Sequence, residues 1–246
     1  MSWTAISRRE KKFVTFAKWA IVALFAKVLV SILFEYTRYF PADFSSDFLS
    51  GRRDYFYGLY GIAFYAHIIS GPLALIAGAF LMFSGTRIRF QKLHRSLGKL
   101  QAVNVIALVV PSGLVMATKS IAGPAAGVGL GLHGLVTAAC MCLAIYFATR
   151  RQLARHRRWA TRCFLLLCAP LVLRLINGAA ITSGFETESI YIVNAWASWI
   201  APLVAYESFR MRKRKRNGNA VFPVASLITH WFKRGRLNES KITNHT

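Results

Sequence analysis

Apolar residues along this chain come in long unbroken runs, not in the strict alternation of half-buried strands or the narrow stripe of a surface helix. Six runs reach bilayer length, at about 13–36, 55–83, 97–118, 128–148, 163–183 and 189–209. A spanning helix needs roughly 20 residues at 1.5 Å rise. The sixth run is the shortest and carries Asn194 and Glu207. The pattern predicts an all-α integral membrane protein with six transmembrane helices, in which helices 2–5 form a central four-helix bundle over 55–183. On this division residues 1–12 are an N-terminal segment, 13–209 the transmembrane domain and 210–246 a basic tail. The first run is too long for a signal-peptide core and has no small-residue cleavage site after it, so it reads as a retained helix.

Charge gives these runs a direction. The chain has 246 residues and a net charge of +23. Its bases cluster at Arg8–Lys12, Arg87–Lys99, Arg150–Arg162 and the "RMRKRKR" run after the sixth span. The alternate segments, "PADFSSDFLSGRRD", "KSIAGPAAG" and "SGFETES", hold few bases and most of the acids. Basic loops stay cytoplasmic, and six spans with both termini inside place every basic cluster there. Localisation in a bacterial inner membrane follows as the expectation. With the bases explained by topology, no nucleic-acid partner is expected. Anionic lipids at the cytoplasmic face are, together with the bilayer itself. The tail segment 220–236 places Val221, Val224, Leu227, Ile228, Trp231 and Phe232 on one helical face, as an interfacial helix would.

A hydrophobic fraction of 55% and a mean hydropathy of +0.40 are ordinary for a polytopic membrane protein, and six spans use up most of the chain, leaving no room for a soluble catalytic domain. The cysteines, Cys140, Cys142, Cys163 and Cys168, all lie in the fourth and fifth spans and indicate no disulfide framework. "GPAAGVGLGLHG" lacks the Gly-Lys-Ser/Thr of a phosphate loop, so its small residues read as a close-packing face of the fourth helix. Asn238 and Asn244 head glycosylation sequons, but on a cytoplasmic tail they carry no meaning.

The candidate chemistry lies in four histidines. His67 and His133 fall 16 and 15 residues before the inner ends of spans two and four, roughly 22–24 Å from that boundary. His94 and His156 sit at the inner mouths of spans three and five. Two levels with two histidines each suit two bis-histidine haems stacked across a four-helix bundle. A small residue, Gly71, Gly98, Thr137 or Ala160, follows each histidine by one turn and leaves space for a flat macrocycle. Arg95, Arg157 and Arg158 suit the propionates of an inner haem. Arg174 lies roughly 27 Å outward from His156 and suits those of an outer one, with Glu186, Glu188 or backbone carbonyls as its alternatives. The other outcomes for these residues are hydrogen bonds between helices, lipid-phosphate contacts, a zinc site, or an ion path through His67, Asn104, Arg174 and Asn177.

"FYAHIISGPLALIAGAF", "KLHRSLGK" and "ARHRRWATRCFLLLCAPLVLRL" together resemble a bacterial family of predicted membrane proteins, domain-of-unknown-function family 2306, over about residues 50–205. That resemblance implies a multi-spanning membrane protein and brings no activity. The order of histidines is similar, more distantly, to two-haem b-type transmembrane cytochromes and ferric reductases. It implies pairing of His67 with His133 and of His94 with His156 as axial ligands to the iron of one or two haem b groups. It also implies electron transfer between a quinol or other reductant and an acceptor, and any enzyme activity would be an oxidoreductase working through haem. A non-catalytic accessory subunit of a larger complex, held by protein partners, is the alternative; a small-solute or ion transporter is the third.

Overall fold

The computed structural model describes residues 8–82, 89–185 and 187–216, all helical or connecting. The long helices are α1 (Arg8–Glu35), α2 (Arg53–Met82), α3 (Gln91–Ala117), α4 (Gly123–Thr149), α5 (Leu153–Thr182) and α6 (Glu188–Arg216). Five of them, α2 to α6, are long and apolar enough to cross a membrane, and α1 covers the first run. Large apolar side chains point outward. Ile62, Ile69, Leu73 and Ile76 of α2 share one face and are each more than half exposed, a surface suited to lipid and not to water.

Helices α2 to α5 close a ring in which α2 packs on α3, α3 on α4, α4 on α5 and α5 back on α2. Their common core includes Ala74, Val105, Val110, Cys140, Met141, Cys163 and Leu166. Cys140 and Cys163 fill it as small apolar groups. The small residues of α4 do what their pattern predicts. A Cβ on Gly127 would stand 2.5 Å from the Ala117 carbonyl, and one on Gly129 would stand 2.8 Å from Nε1 of Trp196. That indole in turn donates to the Ala125 carbonyl at 3.1 Å. Helix α1 packs against the second half of α5. The chain divides into two compact units at Ala201–Pro202, within α6. Beyond that point the described helix carries its own ion pair, Arg210–Glu207 at 3.2 Å, with the Arg210 guanidinium over Tyr206. The amphipathic segment expected at 220–236 lies outside the described residues.

Two helices begin earlier than their apolar runs. α3 starts at Gln91 and not about 97, and α5 at Leu153 and not about 163. Lys, Arg, Leu and Gln are strong helix formers, and their long stems let basic residues continue a helix into the headgroup zone. His94 and His156 therefore each occupy the fourth position of a helix. Their backbone N–H groups close equivalent first turns, onto Phe90 O and Gln152 O, both at 2.9 Å. Between α4 and α5 the chain turns through a Schellman cap: Arg151 N–H reaches Ala148 O and Gln152 N–H reaches Phe147 O. Arg151 holds φ +55°, where glycine is usual; the equivalent cap after α5 places Gly184 there, at φ +70°.

Candidate functional site

Proline placement explains the upper part of the bundle. Pro170 has no N–H, so Leu166, four residues earlier, loses its α-helical donor. Nε2–H of His133 on α4 donates to that carbonyl at 3.0 Å. Pro72 in α2 likewise removes the donor of the Ile68 carbonyl, and the Tyr36 hydroxyl donates to it. Two neighbouring elements thus complete two proline-broken ladders. His133 also faces the Trp199 ring at 6.0 Å, while its own carbonyl accepts from Thr137 at 2.7 Å.

His67 is half-buried on α2 and reaches α3 where that helix is wound in π register over residues 104–109, just ahead of Pro111. A π turn loosens the backbone ladder and frees acceptor geometry. His67 Nδ1 lies 3.2 Å from Val109 O and 3.1 Å from Ser112 Oγ, whose hydroxyl donates onward to Leu108 O. Gly113 makes this approach possible, since a Cβ there would stand 3.2 Å from His67 Cε1.

At the opposite level, Nδ1–H of His156 donates to Ala144 O of α4 at 2.8 Å. His94 is half-buried, with Nδ1 shielded from solvent. Arg95, Arg157 and Arg158 are exposed around these two. Arg174 lies elsewhere, exposed on the second half of α5. Of the residues of the ion path, Asn104 donates to Ser70 O at 3.0 Å, and Asn177 accepts from Asn194 at 2.6 Å.

A haem needs an imidazole held through one nitrogen and free at the other, because ligating histidines donate their second N–H to a carbonyl or carboxylate. His67 and His156 fit: each spends Nδ1 on a backbone carbonyl and leaves Nε2. Space also fits at two of the four small positions, where a Cβ on Gly71 or Gly98 would touch nothing within 4 Å. His133 fits less well, since its Nε2 serves Leu166. A zinc site needs a third ligand, and among the described residues no group of three or more His, Cys, Asp or Glu gathers.

Sequence reasoning missed Tyr36, Ser112, Gln101, Asn194 and Arg52. Gln101 donates to Ala74 O at 2.8 Å, and Asn194 to Leu173 O at 2.8 Å. The prolines at 72 and 170 were a usable signal for an orphaned carbonyl four residues back, though not for its partner. Arg52 had a signal too, as one of two bases in a segment otherwise poor in them.

The chain belongs to the predicted membrane protein family DUF2306, whose model matches residues 64–209. All four histidines and the basic clusters Arg87–Lys99 and Arg150–Arg162 lie within that match. No curated protein and no solved structure matches the chain.

Proposed function

We propose that this membrane protein binds haem b through its histidines and carries electrons, with His67 and His156 as the two best-prepared axial ligands. The observation that carries the proposal is their shared geometry: one Nδ1–H on a neighbouring helix carbonyl, with Nε2 left over. Bound haem supplies reversible one-electron reduction at its iron. The chain's own part is to fix ring orientation, exclude water and hold propionates. Val109, Ser112 and Gly113 set the His67 ring, and Ala144 sets that of His156. His133, through the Nδ1 left over when its Nε2–H serves Leu166, and His94 are the second ligands on the two levels, and Arg95, Arg157 and Arg158 are propionate partners on the inner one. Residues 36–52 face outward and the basic ends inward, in a bacterial inner membrane, with a quinol or similar small reductant as the redox partner.

A reduced-minus-oxidised spectrum of purified protein, with a pyridine haemochrome assay, tests this. His156→Ala is expected to remove one centre and leave the protein folded. If both spectra lack haem bands after iron-replete expression, the proposal fails.

A second possibility rests on His133. Its bond to the proline-orphaned Leu166 carbonyl accounts for a membrane histidine with no cofactor at all. On that account the chain is a non-catalytic subunit held by its basic inner face and protein partners, and its histidines are helix–helix hydrogen-bonding groups.

A further inference from the structure

The chain has no aspartate or glutamate between Asp54 and Glu186, while residues 150–162 hold six arginines. Bases at the end of a bundle need only water, and their number alone says no more than topology does. Two of these arginines, however, are held in place together. The Arg150 guanidinium lies 5.4 Å over the Tyr146 ring, and that of Arg155 lies 5.5 Å over the Phe147 ring. The two rings are themselves 5.2 Å apart. Arg155 also donates to Gln152 Oε1 at 3.0 Å, and the Gln152 backbone is fixed by the cap that closes α4. Both forks therefore stand on one aromatic pair, on either side of the α4–α5 turn.

Ring faces attract cations and limit how a guanidinium turns, so less order has to be imposed when an anion arrives. Arg151 lies between the two in sequence, at φ +55°, where an arginine costs more than a glycine. An arginine kept in that conformation points to a use for its charge. None of the helices α2 to α5 supplies a carboxylate to answer these three, since that stretch has none. The surface beside them is apolar. Tyr146 is 50% and Leu153 62% exposed, and Cys142, one turn further along α4, is exposed on the Tyr146 side. A free anion would match the arginines alone. A phospholipid matches both parts, its phosphate on the forks and its acyl chains along Tyr146 and Cys142.

We propose that Arg150 and Arg155, with Arg151 between them and the exposed end of α4 beside them, form a binding site for the headgroup of one anionic phospholipid. Diffuse attraction of a basic surface to an anionic leaflet depends on total charge. This site depends on position and on the guanidinium fork, and it fills with a single lipid. It uses none of the four histidines and none of the propionate partners, and it stands whether or not haem is bound.

The test titrates the full chain, purified in a neutral detergent, with dioctanoyl phosphatidylglycerol or dioctanoyl phosphatidylcholine at constant ionic strength, and counts bound lipid by native mass spectrometry. Saturable binding of phosphatidylglycerol is expected, with Kd raised about tenfold in Arg150→Gln and in Arg155→Gln. Arg155→Lys keeps the charge but loses the fork, and is expected to weaken binding as well. Arg212→Gln removes the same charge from the exposed part of α6 and is expected to stay within about twofold of wild type. Arg150 and Arg155 are exposed, so the lipid-free variants are expected to melt with the wild type; should one fail to fold, the other carries the comparison. An equal loss in Arg212→Gln would reduce the site to diffuse attraction and overturn the proposal. Equal affinity for phosphatidylcholine, displacement of the lipid by equimolar inorganic phosphate, or failure to saturate would overturn it too.

Discussion

At the scale of single residues, the clearest cause is the proline four positions after an orphaned carbonyl. If His133 is there to serve Leu166, restoring an N–H at position 170 makes it dispensable. In reversible unfolding in mixed micelles, His133→Leu is expected to cost about 1 kcal/mol in the wild type and less than half of that beside Pro170→Ala. Additive costs would show that the Leu166 carbonyl does not account for His133. The same cycle applies to Tyr36→Phe with Pro72→Ala, again at about 1 kcal/mol. Nothing in the one-dimensional pattern named Tyr36 as the donor, because it lies 32 residues from its acceptor. The positions of the four histidines along their helices, by contrast, follow from residue count, since helical rise converts count into distance.

At the scale of elements, the turns and close contacts make their own predictions. Arg151 occupies a left-handed cap position at φ +55°, so Arg151→Gly is expected to stabilise the α4–α5 hairpin by up to about 1 kcal/mol, read as a raised melting temperature. Gly127→Ala acts in the other direction. Its Cβ would meet the rigid Ala117 carbonyl, and a loss of about 1–3 kcal/mol is expected from the forced separation of α3 and α4. In the segment after α1, the Asp43 carboxylate is held below its ordinary 3.8 by hydrogen bonds from the Ser45 hydroxyl and backbone N–H, with Arg38 adding charge. A depressed carboxylate contributes order above its unfolded pKa and loses it as pH falls through the lowered value. The Ser45 amide resonance is therefore expected to hold steady down to about pH 4 and to titrate only below it; a midpoint at or above 3.8 would contradict the assignment.

The elements themselves were legible because long apolar runs admit few structures in a bilayer. Their starts were not. Hydropathy stops where charges begin, while the helix continues through Lys92, Arg95, Arg155 and Arg158 because those residues favour it. The aromatic packing of Tyr39, Phe48, Phe56 and Phe64 also went unseen, since an irregular segment has no period to read.

At the scale of the whole molecule, the uneven distribution of bases fixes an expected orientation. In a background lacking the four native cysteines, Ser45→Cys is expected to react with a membrane-impermeant maleimide in intact cells, and Arg155→Cys only after lysis. Labelling of both from the same side would overturn the inward placement of the basic ends and, with it, the assignment of two haem levels to opposite leaflets. The ring of α2 to α5 survives either result, since it rests on packing.

The function turns on whether the prepared histidines hold iron, and the most direct measurement is the reduced-minus-oxidised spectrum with its haemochrome quantitation. The expected result is a b-type spectrum, diminished by His67→Ala and by His156→Ala separately and nearly abolished when the two are combined. A folded, iron-replete preparation with no Soret band, or a spectrum unchanged in both variants, would contradict it.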